Sequence, residues 1–116
     1  MAVIYHIALA AEWEEARRGG EYTRSTLGRS LAEVGFIHAS TERQVGPVAD
    51  MFYAGVSDLV VLVIDPDRVT AEIRYESVPG ADEPFPHIYG PLDPDAVIDV
   101  RPLEPAADGR FTFEGF

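Results

Sequence analysis

The chain of 116 residues contains no cysteine. That absence excludes disulfides, thiolate nucleophiles and cysteine-ligated zinc or iron–sulfur centres together. Basic residues are scarce: nine Lys and Arg stand against twenty Asp and Glu, for a formal charge of −11. Such an acidic chain lacks the basic footprint that a nucleic-acid backbone or an anionic membrane requires, so neither is an expected partner. A small basic pocket for one nucleotide is still compatible with it. No apolar run approaches the roughly 18 residues of a membrane span, and no Gly-x-Gly-x-x-Gly or phosphate-loop signature occurs. The N-terminal stretch has no basic region, and Trp13, Glu14 and Glu15 interrupt any signal-peptide core. A soluble cytoplasmic protein is the expectation. The carboxylates at Asp65, Asp67, Asp82, Glu83, Asp93 and Asp95 lack calcium-loop spacing and read as solvated turns.

What is present is 47% apolar and 25% charged residues, an ordinary balance for one globular domain over residues 1–116. The run Ala2–Leu9 reads as a buried first strand. From Ala10 the period changes: Leu9, Trp13 and Ala16 share a helix face, acids precede Arg17 and Arg18, and Gly19-Gly20 ends the helix. Ser30 and Glu33 form a capping box for a short turn that stops at Gly35. Phe36–Ser40 reads as a second strand. Thr41 and Gln44 open a helix to about Ala54, with Pro47 either inside it or at its true start. Leu59–Ile64, closed by Asp65-Pro66-Asp67, is expected to be a central strand buried on both faces. Val69–Ser77 alternates, with Val69, Ala71, Ile73 and Tyr75 inward and Glu72, Arg74 and Glu76 toward solvent. Residues 79–86 read as a loop, and Ala96–Val100 and Arg110–Phe113 as further strands. Helices in the first half and strands in the second define an α+β fold, with mixed or antiparallel sheets and two or three short helices.

Only three histidines occur, His6, His38 and His87, each in an apolar setting. A desolvated imidazole needs a partner, and it is also suited to orient or protonate a ligand near neutral pH. They are expected to converge on one cleft. As zinc ligands three histidines would suffice, yet spacings of 32 and 49 residues include no His-x-His or His-x-x-x-His pair, and no metal is expected. Ser40 and Thr41 follow His38 at a strand–helix junction, where hydroxyls and free N–H groups could hold a ribose or phosphate. Tyr22 and Tyr89 border the histidine segments.

The ordered set Tyr5-His6-Ile7, Trp13, Gly20, Tyr22, Ser30-Leu31, Gly35-Phe36-Ile37-His38-Ala39-Ser40, Gln44, Leu62-x-Ile64-Asp65, Glu76 and Phe85-Pro86-His87-Ile88-Tyr89-Gly90 resembles a bacterial family, the domain of unknown function 952. The resemblance covers about residues 2–101, leaving 102–116 as a C-terminal extension. It implies a compact relative of the ADP-ribosyltransferase fold, which binds NAD in a cleft between two small sheets. By that resemblance His6 holds the nicotinamide ribose, His38 with Ser40 and Thr41 continues the ligand site, and Tyr22 or Tyr89 stacks on the ring. His87 or Tyr89 would occupy the position that aids chemistry at the anomeric carbon, with His87 acting as acid or base and His87 and His38 as the catalytic pair. No glutamate stands in the Phe-Pro-His-Ile-Tyr-Gly segment, so Glu76 or Glu83 would have to be brought near. Breaking a bond to nicotinamide passes through an oxocarbenium-like state, which needs a fixed ribose and a group to stabilise charge. Three readings follow: an NAD- or nucleotide-binding transferase, a non-catalytic ligand-binding or regulatory module of the same fold, and a histidine-based metal-dependent enzyme. The partner expected is a small molecule or nucleotide, and the assembly a monomer or weak dimer.

Overall fold

A computed structural model describes residues 2–113. The apolar run Leu59–Ile64 forms β3, the middle strand of a three-stranded antiparallel sheet. β1 (Ile4–Leu9) pairs along one side and β6 (Val97–Leu103) along the other. Alternate β3 side chains feed two separate cores: Leu62 and Ile64 enter one, and Leu59, Val61 and Val63 the other. A strand covered on both faces has no position to leave polar, which is why the run is continuous.

The second sheet has β5 (Phe85–Tyr89) between β2 (Ile37–His38) and β4 (Glu72–Glu76), again antiparallel throughout. The two sheets meet where Tyr5 and Ser40 exchange both backbone hydrogen bonds, at 2.8 and 2.7 Å. Side chains alternate along a strand, so the pairings Tyr5↔Ser40, His38↔His87 and Arg74↔His87 set one continuous side. On the opposite side Ile4, Ile37, Ile73 and Ile88 pack into the first core with Trp13 and Ala16 of α1 (Ala10–Gly19). On the histidine side, α3 (Glu42–Phe52) covers the first sheet with Val45, Val48 and Ala49.

Local chemistry fixes the segment that carries His38. Ser30 and Glu33 close both halves of a capping box on α2 (Leu31–Val34). Gly35 ends it at φ 98°, a left-handed conformation that favours glycine, and its N–H donates to Leu31 O at 2.7 Å. The chain is thereby turned directly into β2. Among the described residues no helix is long and apolar enough to cross a membrane.

Several expectations are corrected. α3 runs through Pro47 and does not begin there. Gly46 lacks the Cβ that would crowd the proline ring, and a Cβ at Gly46 would also lie 3.2 Å from Phe111 O. The Pro-rich stretch expected as loop through residue 86 ends sooner, since Phe85–Tyr89 is the central strand of the second sheet. Pro86 has no N–H to give, but its carbonyl accepts from Ala39 N–H at 3.0 Å. The strand expected over Val69–Ser77 shrinks to Glu72–Glu76 because Pro66–Arg68 forms a 3-10 turn, and Tyr75 is 56% exposed. Phe36–Ser40 reduces to a two-residue strand and the Ser40 bridge. Arg110–Phe113 is no strand: Phe111 makes one bridge to Pro105, and its N–H donates to Asp50 Oδ1 at 2.7 Å. The α+β class stands, with antiparallel sheets and three α-helices.

Candidate functional site

His6 and Tyr22 are buried, at 2% and 1% exposure, and they satisfy each other. His6 Nδ1 lies 2.5 Å from His38 O, which can only accept, so Nδ1 carries the proton and donates. Nε2 then holds a lone pair and accepts from Tyr22 O–H at 2.9 Å. Burial lowers the His6 pKa to about 4, against the smaller opposing effect of the His38 carbonyl, and burial likewise raises that of Tyr22. The adjoining cavity measures only about 10 Å³, too small for more than a solvent molecule. Through the bond from His6 to the His38 carbonyl, this pair holds β1 against β2.

His38 is consequently fixed at both main-chain polar groups. Its carbonyl accepts from His6, and its N–H donates to Ser25 Oγ at 3.3 Å. Its imidazole stands beside that of His87, with ring centroids 5.4 Å apart. Among the described residues, the buried side-chain nitrogens and oxygens without a hydrogen-bond partner are His38 Nε2 and His87 Nε2. Such orphans are few in native proteins, and each calls for an explanation. Burial, and then the neighbouring His6 and His87, lower the His38 pKa to about 4, so its ring is neutral near pH 7.

His87 is oriented from behind. Its Nδ1 is 2.8 Å from Glu76 Oε1, and Tyr89 O–H donates to the same oxygen. The hydrogen bond from Tyr89, followed by that from His87, lowers the Glu76 pKa, and the same Tyr89–Glu76 bond raises that of Tyr89. An ionised Glu76 has no proton to give, so Nδ1–H of His87 must donate. In the neutral ring this leaves the Nε2 lone pair pointing away from Glu76 as an acceptor. Phe36 stacks on the other wall of His87 at 4.0 Å and 15°, and the Arg74 guanidinium lies 4.7 Å over the Tyr89 ring. Chemically the group is a carboxylate-oriented imidazole, able to take a proton from a hydroxyl or water while Glu76 stabilises the resulting cation.

A cavity of about 330 Å³ opens against His38, between α3 and the loop of residues 79–83. Phe85, Val48, Met51 and Phe52 supply apolar walls, and Arg43 and Glu83 the charged rim. A larger concavity of about 510 Å³ between α1 and β6 holds no histidine. The chemistry therefore places the site at His38.

Of the residues singled out in the sequence, His38, His87 and Tyr89 share one face of the second sheet. His6 and Tyr22 lie behind it as a frame. Ser40 is buried in the sheet–sheet bridge, and Thr41 caps α3, its N–H donating to Gln44 Oε1 at 2.9 Å. Glu76 is delivered to His87 by β4, while Glu83 instead pairs with Arg43. Sequence reasoning missed Phe36, Phe85, Arg74 and Arg43. The signal for Arg74 and Glu76 was present in the alternation Glu72-Arg74-Glu76, which opposes Phe85-His87-Tyr89 residue for residue in antiparallel register. Among the described residues no group of three or more His, Asp or Glu is arranged to hold a metal ion.

A two-sheet α+β domain with a small cavity at His38, whose ring neighbours the oriented His87, is thus the class that fold and site define. Residues 7–100 match the model of a family described as protein of unknown function (DUF952), and the chain belongs to that family. The X-ray crystal structure of protein CC0527 from Caulobacter crescentus is similar at 30% identity and TM-score 0.82, covering 95% of this chain and 93% of that one. The solution NMR structure of the same protein gives 31% identity and TM-score 0.77, over 95% and 91% of the two chains. No curated protein matches at a significant level.

Proposed function

We propose that the chain binds a nucleotide of the NAD class in an ADP-ribosyltransferase-like arrangement, with ribose hydroxyls held at Nε2 of His38 and His87. The observation that carries this reading is the pair of buried, unpartnered imidazole nitrogens, set on a frame that fixes the His38 backbone and the His87 ring before any ligand arrives. In the tautomer that Glu76 imposes, His87 Nε2 accepts from a ribose hydroxyl. As positive charge develops at the anomeric carbon, the proton of that ribose hydroxyl moves onto Nε2, the resulting alkoxide offsets the sugar's charge, and Glu76 at 2.8 Å offsets the imidazolium. His38, neutral at pH 7, orients the sugar without adding positive charge beside the oxocarbenium-like centre. Ser40 and Thr41 follow His38 by two and three residues, and Tyr89 follows His87 on the same strand face.

Titration calorimetry with NAD, ADP-ribose and nicotinamide riboside tests the reading. Saturable binding is expected, weakened about tenfold in Glu76→Gln, which replaces a charge-assisted hydrogen bond by a neutral one. Absence of saturable binding by all three ligands would overturn it. One observation favours binding without turnover as a second reading: Oε1 of Glu76 already accepts from both His87 and Tyr89, so that oxygen is committed to orienting the site. Release of free nicotinamide from bound NAD separates the two readings.

A further inference from the structure

The cavity beside His38 contains features that the imidazole alone does not explain. Met51 is 75% exposed and Phe52 52% exposed, and both line it together with Phe85. Large apolar side chains left open around a concavity offer a ring somewhere to lie. At about 330 Å³ the cavity is near the lower end of small-molecule pockets, roughly 300–1,000 Å³. That volume encloses one ring and one sugar, so the second half of a dinucleotide would lie outside it.

Among the described residues, Arg43 is the arginine that lines the cavity. It sits in the first turn of α3, where the helix dipole also favours an anion. Its Nη2 meets Glu83 Oε2 at 2.6 Å across the cavity mouth, and the two side chains are 79% and 52% exposed. An ion pair so open to water contributes little to stability, so either partner exchanges readily. Asp82 on the same loop repels an incoming anion, and Glu83 must swing away from Arg43 to admit one. A guanidinium then presents two parallel N–H donors, the geometry that suits a phosphate.

Building on the ligand reading above, we infer that the cavity takes a mononucleotide-sized phosphate monoester, with its ring against Met51, Phe52 and Phe85, a hydroxyl at His38 and its phosphate on Arg43 in place of Glu83. The Arg43–Glu83 pair is then a gate that selects for charge. In a chain of net charge −11 this arginine supplies locally the attraction that the surface as a whole withholds.

The test is calorimetric titration of nicotinamide mononucleotide and adenosine 5′-monophosphate against the corresponding nucleosides, with wild type, Arg43→Gln and Glu83→Gln. Each monophosphate should bind about tenfold tighter than its nucleoside, the effect of one charge-assisted bidentate contact. Arg43→Gln should erase that ratio and Glu83→Gln should widen it, with thermal melts confirming that both variants fold. Equal affinity for monophosphate and nucleoside, unmoved by Arg43→Gln, overturns the anion assignment and leaves the ribose reading standing. Tighter binding of NAD than of either monophosphate overturns the size assignment. Failure of nucleosides and monophosphates alike to bind overturns both.

Discussion

The His6–Tyr22 region and the His38–His87 region lie on two sides of the same strand junction and are built from the same residue types. In the first, every ring nitrogen and the phenol have protein partners, and the adjoining space is about 10 Å³. In the second, two Nε2 atoms have none, and a cavity of about 330 Å³ lies alongside. Burial does not separate the two regions, since His6 and His87 are 2% and 3% exposed. Partnership does. A buried imidazole with both nitrogens bonded to protein is a brace, whereas one oriented on one nitrogen and unpartnered on the other is the arrangement on which the proposed ligand role rests.

The sharpest way to break this comparison is to delete the brace. His6→Ala strands the His38 carbonyl and the Tyr22 hydroxyl and leaves a ring-sized void. It should cost about 4 kcal/mol of folding free energy in urea denaturation. A loss below about 1 kcal/mol would mean that the frame is not set by this pair.

Acid provides the next largest effect. The His6 pKa falls from 6.5 to about 4 on folding, so between those values the unfolded chain holds a proton that the folded one refuses. Stability from this residue is therefore complete above pH 6.5 and declines as pH falls toward 4, by about 3 kcal/mol. His38 acts in the same direction through its own lowered pKa. Glu76, also lowered, loses its contribution only as pH falls through its folded value, below the ordinary carboxylate range. Denaturation midpoints measured from pH 7 to pH 4.5 should fall steadily, and much less steeply in His6→Asn. A flat profile would contradict a neutral buried His6.

The smallest expected change is the most informative for function. His38→Ala removes a ring whose Nε2 bonds nothing in the protein, so folding stability should shift by no more than about 1 kcal/mol in either direction. NAD-induced thermal stabilisation, expected in the wild type, should vanish. A mutant that melts far lower while ligand shifts neither protein would place His38 with His6 among the braces.

Much of the frame was legible because its signals are local. The Leu59–Ile64 run, the Ser30–Glu33 capping box and the Gly20 and Gly35 stops each rest on a few adjacent residues. β5 was hidden because prolines at 84 and 86 suggest a loop, and only the neighbouring strand shows that Pro86 needs no N–H there. The site was half legible. The histidines drew attention as residue types, but the alternation on β4 reads equally as a solvated face until its register against β5 is known. Arg43 and Glu83 meet across 40 positions of sequence, a distance over which spacing carries no signal.

The double clamp on His38, with Ser25 holding its N–H and His6 its carbonyl, also bears on recognition speed and selectivity. Because the backbone beneath that imidazole is immobilised during folding, an arriving ligand loses no affinity to ordering it. The remaining adjustments lie at the cavity mouth, where the exposed Arg43 and Glu83 side chains reorient on the fast timescale of surface rotamers. A rigid floor under a yielding rim favours ligands that match the floor's hydroxyl geometry, and it lets the rim set how quickly they enter and leave.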